Sequence, residues 1–145
     1  MIETVTNKNF QDILPLIKAY QLFYKVSEPS DTKNAEFFSQ FGPESNLGCQ
    51  FIYRKNNIAV GFATVYFSFA SSIAKKVGVM NDLYTLPDYR GEGVARALID
   101  HCKDYALSKG AARLQWVTAI DNERAQKLYD AMNTKKSTWH FYSYQ

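Results

Sequence analysis

The stretch that most constrains the fold of this chain is "NDLYTLPDYRGEGVARALIDHC", residues 81–102. An apolar run rich in aromatic residues ends at Pro87, and a helical apolar period begins after Gly93. A glycine pair between a strand and a helix leaves helix N-terminal N–H groups free and removes the side chains that would cover them. Backbone donors and the helix dipole can hold a phosphate there. The sequence therefore predicts a phosphate-binding turn at residues 90–95.

Two common nucleotide-binding motifs do not fit this turn. The dinucleotide fingerprint G-x-G-x-x-G would need its third glycine at Arg96, and the loop G-x-x-x-x-G-K-[ST] of nucleotide triphosphatases is absent. Two glycines in a tight turn without any ligand are also common, so the surrounding residues must decide. Arg90 and Arg96 are suited to add charge-assisted contacts to a phosphate.

The rest of the chain predicts one α+β, or mixed α/β, domain spanning residues 1–145. Pro15 falls inside the first helical pattern, which predicts a kink there or a helix that begins close to it. The expected elements are a strand at 2–6, a helix at 10–21, a short helix at 35–41, a hairpin within 49–70 around residues 54–57, a strand at 75–86, a helix at 93–110, a strand at 112–119, a helix at 122–132 and a final strand at 137–145.

Charge and composition exclude several classes of partner. The net charge is +3, but no basic run is longer than a pair, which argues against nucleic acid. No 18 apolar residues run together and the first residues do not resemble a signal peptide, so we expect no membrane partner and a cytoplasmic location. With Cys49, Cys102, His101 and His140 as the only thiols and imidazoles, neither a metal site nor a disulfide framework is expected.

Residues 90–95, "RGEGVA", match the pattern Q/R-x-x-G-x-G/A. On this motif the chain resembles the GNAT superfamily of acetyl-CoA-dependent N-acetyltransferases, whose signature lies at a strand-to-helix turn. Residues 82–90 also look like the family's fourth strand and its following turn, and residues 60–65 look like its third strand. The resemblance implies a central, mainly antiparallel, twisted sheet flanked by helices.

A second match lies in "NERAQKLYDAMN", residues 122–133, which resembles the family's N-x-x-A-x-x-L-Y-x-x-x-G helix. Asn133 stands in the place of the glycine, and asparagine is the next best residue for a left-handed turn at a helix end. Residues 20–26 are similar to the first-helix segment of the polyamine and small-amine acetyltransferase branch. Together these segments imply an enzyme with acetyl-CoA as co-substrate and no metal.

The resemblance also implies site residues. The fourth strand would offer backbone N–H groups to the pantetheine and the thioester oxygen, the glycine turn would hold the pyrophosphate, and Asn122 would hydrogen-bond the pantetheine arm. Tyr129 falls where the family commonly uses a tyrosine as general acid toward the coenzyme A thiolate. The implied coenzyme-binding residues are Leu83, Tyr84, Thr85, Arg90, Gly91, Glu92, Gly93, Val94, Ala95, Arg96, Asn122 and Ala125.

The acceptor side is less specified. Asp82 is an acid in an otherwise apolar strand, which suggests proton acceptance or amine binding, with hydrogen bonding to a neighbouring backbone as the alternative. Asn81 precedes it and is expected to bind substrate with it. Glu28 lies in a turn-rich segment that forms a wall of the acceptor pocket in similar enzymes, although acids in loops are usually just solvated. Further candidate pocket liners are Phe23, Tyr24, Phe37 and Phe38.

The preferred interpretation is transfer of an acetyl group from acetyl-CoA to a primary amine of a small molecule by direct attack in a ternary complex. No cysteine falls in the motifs, so a covalent acetyl-enzyme is not suggested. Two alternatives stay open: acetylation of a protein at lysine or at its N-terminus, and a non-catalytic coenzyme A sensor or interaction module. The aromatic final strand is expected to pair with a second subunit, giving a homodimer.

Overall fold

One five-stranded sheet organises the chain, with strand order β1-β2-β3-β4-β5. The computed structural model describes residues 1–145. Strands β1 to β4 are antiparallel to their neighbours, and β5 is parallel to β4, which confirms the predicted mixed, mainly antiparallel sheet. The elements are β1 Ile2–Thr4, α1 Phe10–Phe23, α2 Asp31–Phe38, β2 Gly48–Lys55, β3 Ile58–Ala70, β4 Lys75–Thr85, α3 Val94–Ser108, β5 Leu114–Gln115 and α4 Glu123–Ala131.

Local chemistry explains the β2–β3 hairpin. Asn56 and Asn57 connect the strands with φ of 51° and 65°, the left-handed values that a two-residue type I′ turn requires. Asparagine tolerates this conformation better than most residues. The predicted hairpin is present where the sequence indicated it.

Helices pack on both faces of the sheet. On one face α3 covers an apolar cluster, and on the other α1 and α2 cover a second cluster that lies beside buried polar side chains. The first cluster comprises Cys49, Phe51, Val60, Ala63, Val65, Met80, Val94, Leu98, Ile99, Cys102 and Met132. The second comprises Val5, Ile13, Leu16, Ile17, Phe38, Ile52, Phe62 and Tyr84. None of the helices is both long and apolar enough to span a bilayer.

A β-bulge interrupts β4 at Asn81. Thr64 of β3 lies opposite Asp82, and the next β3 residue, Val65, lies opposite Met80, so Asn81 is the extra residue. An extra residue resets the alternation of side chains between the two faces. Met80 therefore joins the α3 cluster, while Tyr84 joins the α1 cluster.

Several element predictions were wrong at their boundaries or altogether. No strand forms at 137–145, and β5 covers two residues instead of 112–119. The pairing of β5 with β4 ends at Gln115. Beyond it, neither residues 116–119 nor residues 137–145 have a neighbouring strand to complete their backbone hydrogen bonds.

Helix α2 begins at Asp31 rather than at residue 35 because the Ser30 side chain accepts a hydrogen bond from Lys33 N–H at 3.2 Å and caps it. Helix α1 runs from Phe10 to Phe23 and contains Pro15 in its interior. Asn133 is not left-handed: α4 ends before Met132, which is extended at φ −92° and ψ 152° and reaches the core.

Candidate active site

A cleft opens where β4 and β5 separate. The two strands pair only through Gly78 with Leu114 and Val79 with Gln115, and beyond these pairs the edge of β4 is open. The resulting cleft has a volume of about 330 Å³. Its walls come from β4, the turn before α3, residues 116–118, α4 and the C-terminal end of α1.

One end of the cleft is built from backbone. Gly91 and Gly93 take left-handed φ values of 80° and 85°, and a Cβ added at either position would meet no atom within 4 Å. Gly93 precedes α3 without any side-chain cap, and the first hydrogen bond of the helix is from Ala97 N–H to Gly93 O at 3.1 Å. The N–H groups of the first helical residues are therefore available to a ligand. This end can bind an anion such as a pyrophosphate.

Two charged side chains hold the glycine turn in place. The Arg90 Nε–H donates to Thr85 O at 2.9 Å, and its guanidinium lies 5.4 Å from the ring centroids of both Phe23 and Tyr84. Glu92 forms an ion pair with Lys55 at the end of β2. The turn is thus tied to β4, to α1 and to the β2–β3 hairpin before any ligand binds.

The exposed edge of β4 supplies further donors. Leu86 N–H donates to Val60 O of β3 at 2.8 Å. Because N–H directions alternate along a strand, the Tyr84 N–H also points to β3, and the N–H groups of Leu83 and Thr85 point into the cleft. Tyr84 also lines the cleft, although its N–H is directed at β3.

A buried carboxylate lies behind the lining at the other end of the cleft. Asp82 is 5% exposed, and no lysine or arginine forms a salt bridge with it. Burial raises the pKa of Asp82 above its ordinary range, and the neighbouring polar side chains of Thr64, Tyr20 and Asn81 oppose this rise. The Asn81 Nδ2–H donates to Asp82 Oδ1 at 3.0 Å. A carboxylate without a cationic partner is suited to receive a proton or a cation.

Tyr20 connects this carboxylate to the cleft. It lines the cleft, and burial followed by the negative charge of Asp82 raises its pKa, so its hydroxyl stays protonated. Its ring centroid lies 4.8 Å from that of Tyr24 and 6.1 Å from that of Tyr84. This end of the cleft therefore has a group of aromatic rings with a carboxylate behind them, an arrangement that can attract cations.

A reciprocal amide pair fixes the helix that carries these rings. Gln21 Nε2–H donates to Asn34 Oδ1, and Asn34 Nδ2–H donates to Gln21 Oε1, both at 2.8 Å. Asn34 is buried on α2, so the pair joins α1 to α2 in one relative position. Satisfied buried amides of this kind specify a single packing arrangement.

Tyr129 reaches the cleft from α4. Its ring packs edge-on against Trp116 with centroids 5.3 Å apart, and burial, with a smaller contribution from Tyr24, raises its pKa. The phenol is thus a neutral proton donor at ordinary pH. Asn122 precedes α4 and its Oδ1 accepts from Ala125 N–H at 3.3 Å, so it caps this helix.

Comparison with known proteins decides the family. Residues 13–133 match the Acetyltransferase (GNAT) family. The chain belongs to this family. It is 32% identical over 126 residues to the uncharacterized N-acetyltransferase YhfO of Bacillus subtilis (strain 168), covering 87% of this chain and 83% of that protein. It is 31% identical over 130 residues to the D-amino-acid N-acetyltransferase HPA3 of Saccharomyces cerevisiae (strain ATCC 204508 / S288c), covering 89% and 81%.

The fold of this GNAT protein agrees with solved relatives. The crystal structure of a probable acetyltransferase superposes with a TM-score of 0.86 at 25% identity, covering 100% of this chain and 97% of that one. Membership and fold together make the chain an N-acetyltransferase, that is, an acyltransferase.

Most of the residues that the motifs singled out lie around this one cleft. Those that line it are Asn81, Leu83, Tyr84, Thr85, Arg90, Gly91, Gly93, Val94, Ala95, Arg96, Asn122, Ala125 and Tyr129. Asp82 lies behind the lining, Glu92 turns to Lys55, and Glu28 is exposed and outside the cleft. Of the predicted aromatic liners, Phe23 and Tyr24 line the cleft, while Phe37 and Phe38 do not.

Sequence reasoning missed Tyr20 and the wall at residues 116–118. Tyr20 shares one helix face with Phe23 and Tyr24, three and four positions later, a spacing that equally fits core packing. No group of three or more His, Cys, Asp or Glu side chains is arranged to hold a metal ion.

Proposed function

We propose that this acetyltransferase transfers the acetyl group of acetyl-CoA to a primary amine of a small, cationic molecule by direct attack in a ternary complex. The observation that carries the proposal is that one continuous cleft is lined by the anion-binding turn before α3 and by the aromatic end of α1. Both substrates can therefore occupy it together, with their reacting atoms beside β4.

The backbone end is assigned to the coenzyme. The N–H groups at the start of α3 would bind the pyrophosphate, and the N–H groups of Leu83 and Thr85 would bind the pantetheine and the thioester oxygen. A thioester supplies an activated acyl carbon, and donors aimed at its oxygen stabilise the charge that develops there. These contacts need backbone positions more than particular side chains.

The aromatic end is assigned to the acceptor. An alkyl ammonium with a pKa of about 10.4 must lose a proton before it can attack, which costs roughly 4–5 kcal/mol at pH 7. We assign Asp82 as the proton acceptor, reached through the Tyr20 hydroxyl, which interacts with Asp82 and lines the cleft. The ammonium gives a proton to Tyr20 Oη while the Tyr20 proton passes to Asp82. Asn81 orients the carboxylate through its 3.0 Å hydrogen bond.

Protonation of the departing sulfur is assigned to Tyr129. As the amine nitrogen bonds to the acyl carbon and the carbon–sulfur bond breaks, the thiolate takes the phenolic proton. A thiol with a pKa near 8.5 and a phenol near 10 are close enough for this transfer. After attack the acylated nitrogen still carries one proton too many, and it gives this proton to the Tyr129 phenolate to form the neutral amide. Asp82 then releases the first proton to solvent.

We further propose that the enzyme works in the cytoplasm as a homodimer. Its two cysteines, Cys49 and Cys102, are unpaired and buried, as is usual in a reducing compartment. Burial raises the pKa of the Cys49 thiol to about 11, so this side chain stays protonated and takes no part in acyl transfer.

The test is release of free thiol from acetyl-CoA in the presence of polyamines, amino acids of both configurations, aminoglycosides and lysine peptides, with acetyl-CoA binding measured by calorimetry. Turnover with small cationic amines is expected. Turnover restricted to the peptides would replace the small-molecule acceptor with a protein. Coenzyme binding without turnover on any acceptor would contradict the catalytic proposal.

The proton route has its own test. In Tyr20→Phe, turnover should fall most for acceptors whose amines have a high pKa and least for those already neutral at the assay pH. Tyr24→Phe is the matched control, because it removes a neighbouring hydroxyl of the same aromatic group. Equal losses for all acceptors in Tyr20→Phe would contradict the route.

A further inference from the structure

Three buried polar side chains, the polar row, cross the middle of the sheet side by side. Gln50 of β2 lies opposite Thr64 of β3, and Thr64 lies opposite Asp82 of β4. The three residues are 1%, 0% and 5% exposed, and Gln50 Nε2–H donates to Thr64 Oγ1 at 2.9 Å. The polar row therefore leads from the core of the protein to the carboxylate behind the cleft.

The bulge at Asn81 is what brings Asp82 into the polar row. Met80 packs on the α3 face of the sheet, and in a regular strand the side chain two positions later would point to the same face. The extra residue turns Asp82 to the α1 face instead, where it lies opposite Thr64. The bulge thus joins the carboxylate to polar side chains from two other strands.

The neighbouring row of side chains shows that this face of the sheet is otherwise apolar. Two positions away along each strand, Ile52 lies opposite Phe62, and Phe62 lies opposite Tyr84. All three belong to the cluster under α1. Burying a polar side chain among such residues costs free energy unless it is hydrogen-bonded, yet Gln50 Oε1 has no partner. Core packing alone therefore does not explain this amide.

The hydrogen bond between the first two members gives the polar row a direction. Because Thr64 Oγ1 accepts from the Gln50 amide, its own O–H is left to donate elsewhere. The adjacent acceptor is the carboxylate of Asp82, and the Thr64 side chain opposes the rise in pKa that burial causes there. Hydrogen bonds donated to a carboxylate favour its charged form.

Neutral groups surround this carboxylate. The titratable groups that face it are two phenols, Tyr20 of α1 and Tyr66 of β3, whose pKa values are raised by burial and then by the charge of Asp82. No lysine, arginine or histidine forms a salt bridge with it. Gln50 is a neutral amide, as is Asn34, the buried polar residue of α2. Neutral donors must therefore stabilise the charged form.

We propose that Thr64 and Gln50 are positioning residues for Asp82: the Thr64 hydroxyl donates to the carboxylate, and the Gln50 amide holds that hydroxyl in the donating orientation. Neither side chain lines the cleft, so neither touches a substrate. The polar row favours the ionised form of Asp82, which is the form that takes the proton passed on by Tyr20. The inference rests on the proposed role of Asp82 and adds two residues that no sequence motif indicates.

The experiment changes one polar group at a time in the full-length protein. Thr64→Val keeps the shape of the side chain and removes its hydroxyl, Thr64→Ser keeps the hydroxyl, and Gln50→Met removes the amide. The pKa of the Asp82 carboxyl is measured without acetyl-CoA by NMR titration of isotope-labelled aspartate, and Asp82→Asn assigns its signal. The pH dependence of kcat/KM is measured in parallel, with an amine whose pKa lies above the assayed range.

Thr64→Val should raise the carboxyl pKa by about one to two units, which is the value of one hydrogen bond to a charged group. Because the proton acceptor must be ionised, the acidic limb of the kcat/KM profile should move to higher pH by the same amount. Gln50→Met should shift both by less in the same direction, without lowering Tm, since its Oε1 is unsatisfied. Thr64→Ser should stay close to the wild type, as should Thr4→Val, which makes the matched change on β1.

An unchanged carboxyl pKa in Thr64→Val would overturn the proposal. An equal shift in Thr64→Ser would do so too, because it would assign the effect to packing and not to the hydroxyl. A lower Tm in Gln50→Met with neither titration shifted would leave Gln50 a structural role only. The NMR titration needs no turnover: if the carboxyl pKa shifts while the acidic limb stays in place, the polar row is supported and Asp82 is not the proton acceptor.

Discussion

One end of the cleft is formed by backbone groups and the other by side chains. At the end proposed for the coenzyme, backbone N–H groups at the start of α3 are uncovered, and Gly91 and Gly93 leave space beside them. At the acceptor end, side chains from α1 and β4 form the wall, with Tyr20 in front of the buried Asp82. A backbone site depends on local conformation and tolerates few residue types. A side-chain site depends on tertiary packing, and its chemistry can change one residue at a time.

Tyr129 lines the cleft and is the proposed proton donor to the departing sulfur, so changing it should have the largest effect. Tyr129→Phe removes the proton donor to the thiolate and should lower kcat by about 10²-fold or more, while acetyl-CoA affinity is retained. Steady-state kinetics with calorimetry measure both. Tyr105→Phe, whose hydroxyl is buried away from the cleft, is the control. Unchanged kcat in Tyr129→Phe would remove the tyrosine from the mechanism.

The backbone character of the coenzyme end can be broken at one glycine. Gly93→Ala strains a left-handed residue and puts a methyl group beside the α3 N–H groups, so acetyl-CoA should bind roughly tenfold to a hundredfold more weakly, as lost charge-assisted hydrogen bonds would predict.

Gly110→Ala is the matched control for that change. Gly110 has φ of 88° and equally open surroundings, but lies after the other end of α3. Both variants should lose about 1–2 kcal/mol of stability to left-handed strain, and only Gly93→Ala should lose coenzyme affinity. Equal affinity in both variants would contradict the assignment of the turn.

The acceptor end should differ in its pH dependence. Because burial raises the pKa of Asp82 in the folded protein, its contribution to stability is present below the unfolded pKa near 3.9 and is lost as pH rises through the folded pKa. Asp82→Asn should therefore gain Tm relative to the wild type by a few degrees between pH 4 and pH 7.5. Thermal melts across this range measure it, and exposed Asp88→Asn should show no such trend.

The smallest expected effect lies outside both ends. Tyr105 Oη is buried without a hydrogen-bond partner. The ring of Tyr105 packs against that of Phe51, with the two ring centroids 5.1 Å apart. Tyr105→Phe should leave the free energy of unfolding unchanged or raise it by about 1 kcal/mol, since an unsatisfied hydroxyl is removed and the ring is kept. A clear loss of stability in chemical denaturation would reveal a partner for this hydroxyl, such as an ordered water.

The comparison of the two ends also explains what the sequence could predict. The glycine turn and the Asn56-Asn57 hairpin are local, so their residues specify them directly. The role of Tyr20 was missed because its spacing fits core packing as well as a cleft wall, and only the packing of α1 on β4 distinguishes the two. Glu28 does not line the cleft, and nothing local in the sequence states where a loop after α1 will lie.

The unpaired ends of predicted strands failed for a related reason. The aromatic segment 137–145 was predicted to be a strand, but a strand needs a neighbour, and within one chain that segment has none. The pattern reports a residue's suitability for pairing and contains no information about the partner.

The bulge at Asn81 divides β4 into two segments that selection can alter separately. Before the bulge Met80 packs into the cluster under α3, and after it Tyr84 packs into the cluster under α1. Because the extra residue resets which face of the sheet the side chains point to, a change of register in one segment need not alter the other. Changes at residues 83–85 can therefore alter the wall of the cleft while Met80 keeps its packing under α3.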